Sequence, residues 1–178
     1  KAIASHLSNQ SVLFITGMAG IGKSEVAKAY AQTNRKKYTN IIYLYYTGDL
    51  RKDIANLTFA DDSVEMNEEV RFQNHYKVMQ RLHTDTLLIL DNFNVLPKDE
   101  PFLKELMKND MQLLITSRCK LKNYDSIEIK ELDKEKELTE LFYKHCPSAK
   151  RDPDSVSAII EEVNCHTLTV CMAALTLE

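Results

Sequence analysis

The sequence predicts an α/β fold: a five-stranded parallel sheet between helices, followed by a small all-helical domain. Three observations predict it. Up to about residue 130, short apolar runs of strand length alternate with amphipathic helical patterns. Three of those runs are apolar on both faces, as strands covered by helices on each side must be. Beyond residue 130 the strand-like runs stop and only helical stripes follow. Strand–helix–strand repetition implies parallel strands joined by right-handed crossovers.

In chain order, the strands are VLFIT at 12–16, IIYLYY at 41–46, LLIL at 87–90, QLLIT at 112–116 and SIEI at 126–129. A helix over 23–32 follows the first strand. A longer one starts after Ser63, read as its N-cap, and runs to about His83 with Phe72, Tyr76, Met79 and Leu82 as its apolar stripe. The acidic run 65–69 forms a solvated first turn that suits the helix dipole. Pro101 opens a helix over 101–109. Tyr43 and Tyr45 share one strand face and are expected to pack under a helix. Past residue 130, Leu138, Leu141, Phe142 and His145 make one stripe, and Val156, Ile159, Ile160 and Val163 another; 167–177 is apolar nearly all round. The expected domains are therefore 1–130 and 131–178. The last helix carries more apolar surface than one partner covers, so a further domain is expected to pack there in a longer natural chain.

Composition excludes several classes. The chain has 178 residues, enough for a real core, and its apolar fraction of 44% and charged fraction of 28% are those of globular proteins. A net charge of −3 offers no electrostatic basis for binding nucleic acid or an anionic membrane. No apolar run approaches the roughly 20 residues of a membrane helix, and no leader peptide is visible. Cys119, Cys146, Cys165 and Cys171 form no C-x-x-C pair and read as buried hydrophobes in a reducing cytoplasm. The five histidines have no metal spacing and read as structural or surface residues.

Chemistry is concentrated in three motifs. GMAGIGKS, residues 17–24, fits G-x-x-x-x-G-K-[ST] between a strand and a helix, and holds three of the chain's four glycines. Such a P-loop presents a row of backbone N–H groups to phosphate, where side chains would obstruct close approach. The predicted nucleotide-binding residues are Gly17, Met18, Ala19, Gly20, Ile21, Gly22, Lys23, Ser24 and Glu25. Lys23 supplies charge to the terminal phosphates and the Ser24 hydroxyl is a ligand for Mg²⁺. In LLILDNFN, residues 87–94, Asp91 ends a buried strand and is the second metal residue. Asn92 stands where relatives of this fold class carry a second acid that activates water. An amide takes no proton at neutral pH, though it can orient water, so hydrolysis is expected to be slow by a factor of about 10²–10⁴. In LLITSR, residues 113–118, Arg118 is placed to sense a γ-phosphate. Lys23, Asp91, Asn92 and Arg118 are thus the catalytic candidates.

Together these segments resemble the NB-ARC group of the STAND class of P-loop ATPases. LFITGMAGIGKSEVAKAY is similar to that group's phosphate-loop segment, LLILDNFN to its metal strand, LLITSR to its sensor-arginine strand, and IKELDKEKELTELFYKH to the start of its helical domain. NCHTLTVCMAAL lies where the group carries Gly-Leu-Pro-Leu, with Thr169 at the position of the proline that touches the adenine side of the nucleotide. The resemblance implies a cytoplasmic, Mg²⁺-dependent ATP/ADP switch with slow turnover. It also implies partner domains in the same chain (an effector, a winged helix and repeats) and nucleotide-driven self-assembly, with no direct contact to nucleic acid or membrane. The alternatives are a hydrolysis-dead scaffold and a metabolic ATPase or phosphotransferase; the strand between the first two motifs and Arg118 argue against the latter.

Overall fold

The computed structural model describes residues 2–60, 62, 66–119 and 121–178. Among these, five strands form one parallel sheet: β1 (Val12–Thr16), β2 (Asn40–Tyr45), β3 (Thr86–Asp91), β4 (Gln112–Ser117) and β5 (Ser126–Glu128), in the order β2-β3-β4-β1-β5. β3 and β4 are buried at every position. Their continuous apolar runs are what a strand covered on both faces requires. β2 and β5 are edges and are partly exposed. The strand between β1 and β3 is β4, from far later in the chain, while β2, which intervenes in sequence, goes to the edge.

The helices are α1 (Ala2–Leu7), α2 (Lys23–Thr33), α3 (Leu50–Ala55), α4 (Glu68–Met79), α5 (Pro101–Leu106), α6 (Thr139–His145), α7 (Pro153–Glu162) and α8 (Thr167–Leu177). The expected cap Ser63 and the acidic residue Glu65 lie outside the described residues. α4 starts instead at Glu68, where the Asn67 side chain accepts from Val70 N at 2.9 Å. It stops at Met79, and Leu82 lies in the following turn, its N–H bonded to Met79 O at 3.1 Å. α5 is shorter than expected and is capped by the Glu100 carboxylate, which accepts from Phe102 N. α1 and α3 are elements that the sequence pattern left unread. α3 had a legible start: Asp49 accepts from Arg51 N at 2.9 Å and Lys52 N at 3.2 Å, an N-cap ahead of the apolar pair Leu50 and Ile54.

The chain divides into two compact units. One comprises Lys1–Thr16 with Ser24–Glu128; the other comprises Gly17–Lys23 with Ile129–Glu178. The core of the first joins Phe14, Leu88, Leu90, Leu113 and Ile115 of the sheet to Leu50 and Ile54 of α3, Phe72 and Met79 of α4, and Leu103 and Leu106 of α5. Each such side chain contributes roughly 1.5–3 kcal/mol on burial. In the same unit His75 is buried, with Nδ1 2.8 Å from Ile54 O and Nε2 2.6 Å from the Asp62 carboxylate. The second unit has a smaller core of Leu138 and Phe142, Val156 and Ile160 of α7, and Val170 and Ala174 of α8. The outer face of α8 leaves Leu168, Met172 and Leu175 half or more exposed.

Candidate functional site

Asp91 ends β3 with its carboxylate buried at 3% exposure. Three hydroxyls from three different elements donate to it. Ser24 Oγ, in the first turn of α2, reaches Oδ1 at 2.8 Å; Thr116 Oγ1, on β4, reaches the same oxygen at 2.5 Å; Tyr43 Oη, on β2, reaches Oδ2 at 2.5 Å. Sheet order explains the convergence. β2 and β4 are the two neighbours of β3, and the register pairs Tyr45 with Asp91 and Leu90 with Ile115. Tyr43, two residues back on the same face as Tyr45, leans along the strand to the acid, a diagonal that only a long side chain spans. Burial pushes the Asp91 carboxyl up. The hydroxyls of Thr116, Tyr43 and Ser24 and the Asn92 backbone outweigh it, and the group is held below its ordinary value of 3.8. Burial first, and then the bond to Asp91, push the Tyr43 phenol above its ordinary 10.0.

The expectation that Tyr43 and Tyr45 pack under a helix is therefore corrected. They are 41% and 54% exposed, because β2 is an edge strand. Tyr43 and Thr116 are the site residues that sequence reasoning missed. Their signal is the strand order, which places both beside Asp91, and order is not written in any one segment.

Asn92 takes a left-handed backbone conformation, φ +65°. Asparagine and aspartate tolerate this region far better than most residues. Its amide is also engaged at both ends: Nδ2 donates to Tyr46 O at 3.3 Å and Oδ1 accepts from Asn94 Nδ2 at 2.5 Å. Its backbone N–H donates to Thr116 Oγ1 at 2.9 Å. The side chain thus braces the turn after β3, at the wall of an open cleft of about 430 Å³ shared with Tyr45, Thr47 and Asn94. Asn92→Asp keeps the backbone preference but puts an oxygen against Tyr46 O. It is expected to lower stability by about 1–3 kcal/mol, the cost of leaving a part-buried acceptor unmatched. Thermal denaturation checks this; an unchanged Tm would mean that the brace contributes nothing.

The loop between β1 and α2 belongs to the second unit. Lys23, 9% exposed, folds back so that Nζ donates to Gly17 O at 2.9 Å and Met18 O at 2.7 Å. Gly17 and Gly20 have φ of +150° and +70°. A Cβ on Gly17 would stand 2.9 Å from Ile129 O, and one on Gly20 would stand 2.4 Å from His166 Cε1, so each position excludes a side chain twice over. His166, the residue before α8, places Nε2 2.9 Å from Ala19 O and Nδ1 2.9 Å from Thr169 Oγ1. Reading His166 as an ordinary structural or surface residue missed this contact, which nothing in its sequence spacing announces.

The other candidates are placed as follows. Ile21 is buried and Met18 is exposed. Glu25 pairs with Lys28 on the surface of α2 at 2.9 Å, which raises the Lys28 pKa through that hydrogen bond. The Arg118 side chain is exposed just past β4, and its backbone N–H donates to Asn94 Oδ1 at 3.0 Å. Among the described residues no cluster of three or more His, Cys, Asp or Glu side chains is present that would cage a metal. A cation beside Asp91 would therefore draw on Ser24, water and ligand phosphates, which is the donor set that Mg²⁺ prefers. The Ser24–Asp91 pair fits that role: two hard oxygens already share one hydrogen bond.

The parallel order β2-β3-β4-β1-β5, the glycine loop after β1 and the buried acid ending β3 define the P-loop nucleoside-triphosphatase fold. A family model described as AAA domain matches residues 5–123, more than half of the chain, and the chain belongs to that family. A comparison with curated proteins finds no match. Solved structures with the same fold include the Drosophila ORC bound to DNA, at 13% identity and TM-score 0.62 over 98% of this chain. A DNA replication initiation factor matches at 16% and 0.63 over 99%. AMPPCP-bound DnaA from Aquifex aeolicus matches at 16% and 0.60 over 99%. The alignment covers 57%, 57% and 58% of those three chains respectively. Among the described residues, no helix is long and apolar enough to cross a membrane.

Proposed function

We propose that this chain is the adenine-nucleotide-binding switch module of a larger regulatory ATPase, binding ATP and ADP with Mg²⁺ and hydrolysing ATP slowly. The observation that carries the reading is the Ser24 hydroxyl on Asp91 at 2.8 Å, directly after the GMAGIGK loop. Backbone N–H groups of the loop and Lys23 would hold the phosphates; Ser24 and Asp91 would hold the cation, which when bound neutralises phosphate charge. Residues 1–130 would form the nucleotide-binding domain and 131–178 the first part of a helical lid. Asp91 is committed to three hydroxyls and Asn92 is an amide, so neither is a free base, which supports slow turnover.

The resemblance to the NB-ARC group of STAND ATPases supports a switch in a cytoplasmic multidomain chain, with self-assembly as its output. The fold shared with ORC and DnaA favours a second reading, an ATPase module of a DNA-handling machine. Steady-state hydrolysis with and without duplex DNA separates them: stimulation by DNA supports the second, and none the first. Titration with ATP and ADP, with and without Mg²⁺, tests nucleotide binding itself. Arg118→Ala is expected to weaken ATP more than ADP by a factor of about 10, the scale of one charge-assisted contact. Equal losses for the two nucleotides would remove the γ-phosphate role from Arg118.

A further inference from the structure

His166 contacts the glycine loop at Ala19 O. Its geometry is specific at both ring nitrogens. Ala19 O only accepts, so Nε2 carries the proton and donates at 2.9 Å; Nδ1 faces the Thr169 hydroxyl, also at 2.9 Å, and that bond fixes the plane of the ring. The ring is seated at the start of α8, where His166 O accepts from Val170 N at 2.9 Å. Two consecutive non-glycine residues before it, Asn164 and Cys165, hold left-handed φ of +53° and +57° to deliver it there. On the loop side Gly20 has no side chain where one would collide with the imidazole. The fit is two-sided.

A trans peptide is planar, so the carbonyl of one residue and the N–H of the next point in opposite directions. Holding Ala19 O toward His166 therefore turns the Gly20 N–H away from the imidazole. We infer that His166 is a positioning residue of the phosphate site, oriented by Thr169, that aims the Gly20 N–H at a bound nucleotide phosphate. This deepens the nucleotide-binding reading and rests on it. It also assigns Thr169 to the imidazole instead of the base or ribose. An amide already aimed is not reoriented when an anion arrives, so its hydrogen bond is gained at less cost in ordering. The same bond makes α8 sense whether the loop is in its binding shape.

The test is calorimetry on the 178-residue chain with ATP, ADP and adenosine as separate probes. His166→Ala is expected to weaken ADP and ATP at least five-fold and adenosine less than two-fold, because only the phosphates meet the Gly20 amide. His166→Gln keeps an N–H donor at the reach of Nε2 and is expected to recover to within two-fold of the parent. Thr169→Val removes the orienting hydroxyl and is expected to give a smaller loss in the same phosphate-dependent pattern. ADP affinity unchanged in His166→Ala, or an equal loss for adenosine, overturns the inference. If His166→Ala does not fold, the unsubstituted chain decides: the Gly20 amide resonance must shift on adding ADP and not on adding adenosine, and an amide indifferent to ADP overturns the inference. A parent chain that binds neither ATP nor ADP overturns the nucleotide reading itself. Parent binding with a silent His166→Ala overturns only the role of His166.

Discussion

Lys23→Ala is expected to weaken ATP by about 2–4 kcal/mol, roughly 30- to 1,000-fold in Kd. The ammonium is nearly buried and is held over its own loop by Gly17 O and Met18 O. Those two carbonyls hold a point charge at the loop where, in the proposed reading, terminal phosphates would lie. A phosphate dianion arriving there meets a charge already desolvated and oriented, which is where a charge-assisted bond contributes most. Truncation removes the charge and also leaves two loop carbonyls without this donor, so some loss of stability accompanies it. Adenosine, which has no phosphate, supplies the control: its affinity should hardly change. Calorimetry in which the variant binds ATP as the parent does would remove the phosphate-loop assignment altogether.

Asp91→Asn is the second large effect, and it acts on both stability and metal dependence. Three hydroxyls donate to a carboxylate that is 3% exposed. The amide carries no charge, so all three hydroxyls lose an ionic acceptor, and whichever way it turns its NH₂ leaves at least one of them with no acceptor at that atom. The expected cost is about 2–4 kcal/mol of folding stability. ATP affinity in the parent should rise with Mg²⁺, and in the variant it should not. The pH dependence has a definite sign. The folded pKa of Asp91 is depressed below 3.8, so its contribution is fully present above that value and is lost as pH falls through the folded pKa. The stability gap between parent and variant should thus be flat from neutral pH down to about pH 4 and close below it. A gap that persists unchanged into stronger acid would mean that ionisation of Asp91 is not its source.

Much of this was legible in the chain itself. The continuous apolar runs of β3 and β4 announced buried strands, because a strand covered on both faces has no polar positions to alternate. GMAGIGKS was readable as a sharply curved glycine loop between a strand and a helix, and its three glycines, 17, 20 and 22, all take positive φ. The acid ending LLILD stood out because an ionisable group closing an apolar strand needs partners, and the structure gives it three hydroxyls. The short helices α1 and α3 carry too little periodicity at six residues each to be read as helices, although the Asp49 cap of α3 was a usable signal.

The tertiary structure decided what surrounds those motifs. Tyr43 and Thr116 reach Asp91 only because β2 and β4 are the spatial neighbours of β3, an order set by crossovers and invisible in any local window. Asn92, read from sequence as a weakened catalytic position, is also a left-handed corner whose amide ties Tyr46 to Asn94. His166 meets Ala19 across 147 positions of chain. Composition and periodicity determine which segments become strands, helices and anion loops, since those depend on neighbours a few residues apart. Which hydroxyl, amide or imidazole then stands against the site depends on long-range packing, where the chain's own order in sequence carries no distance information.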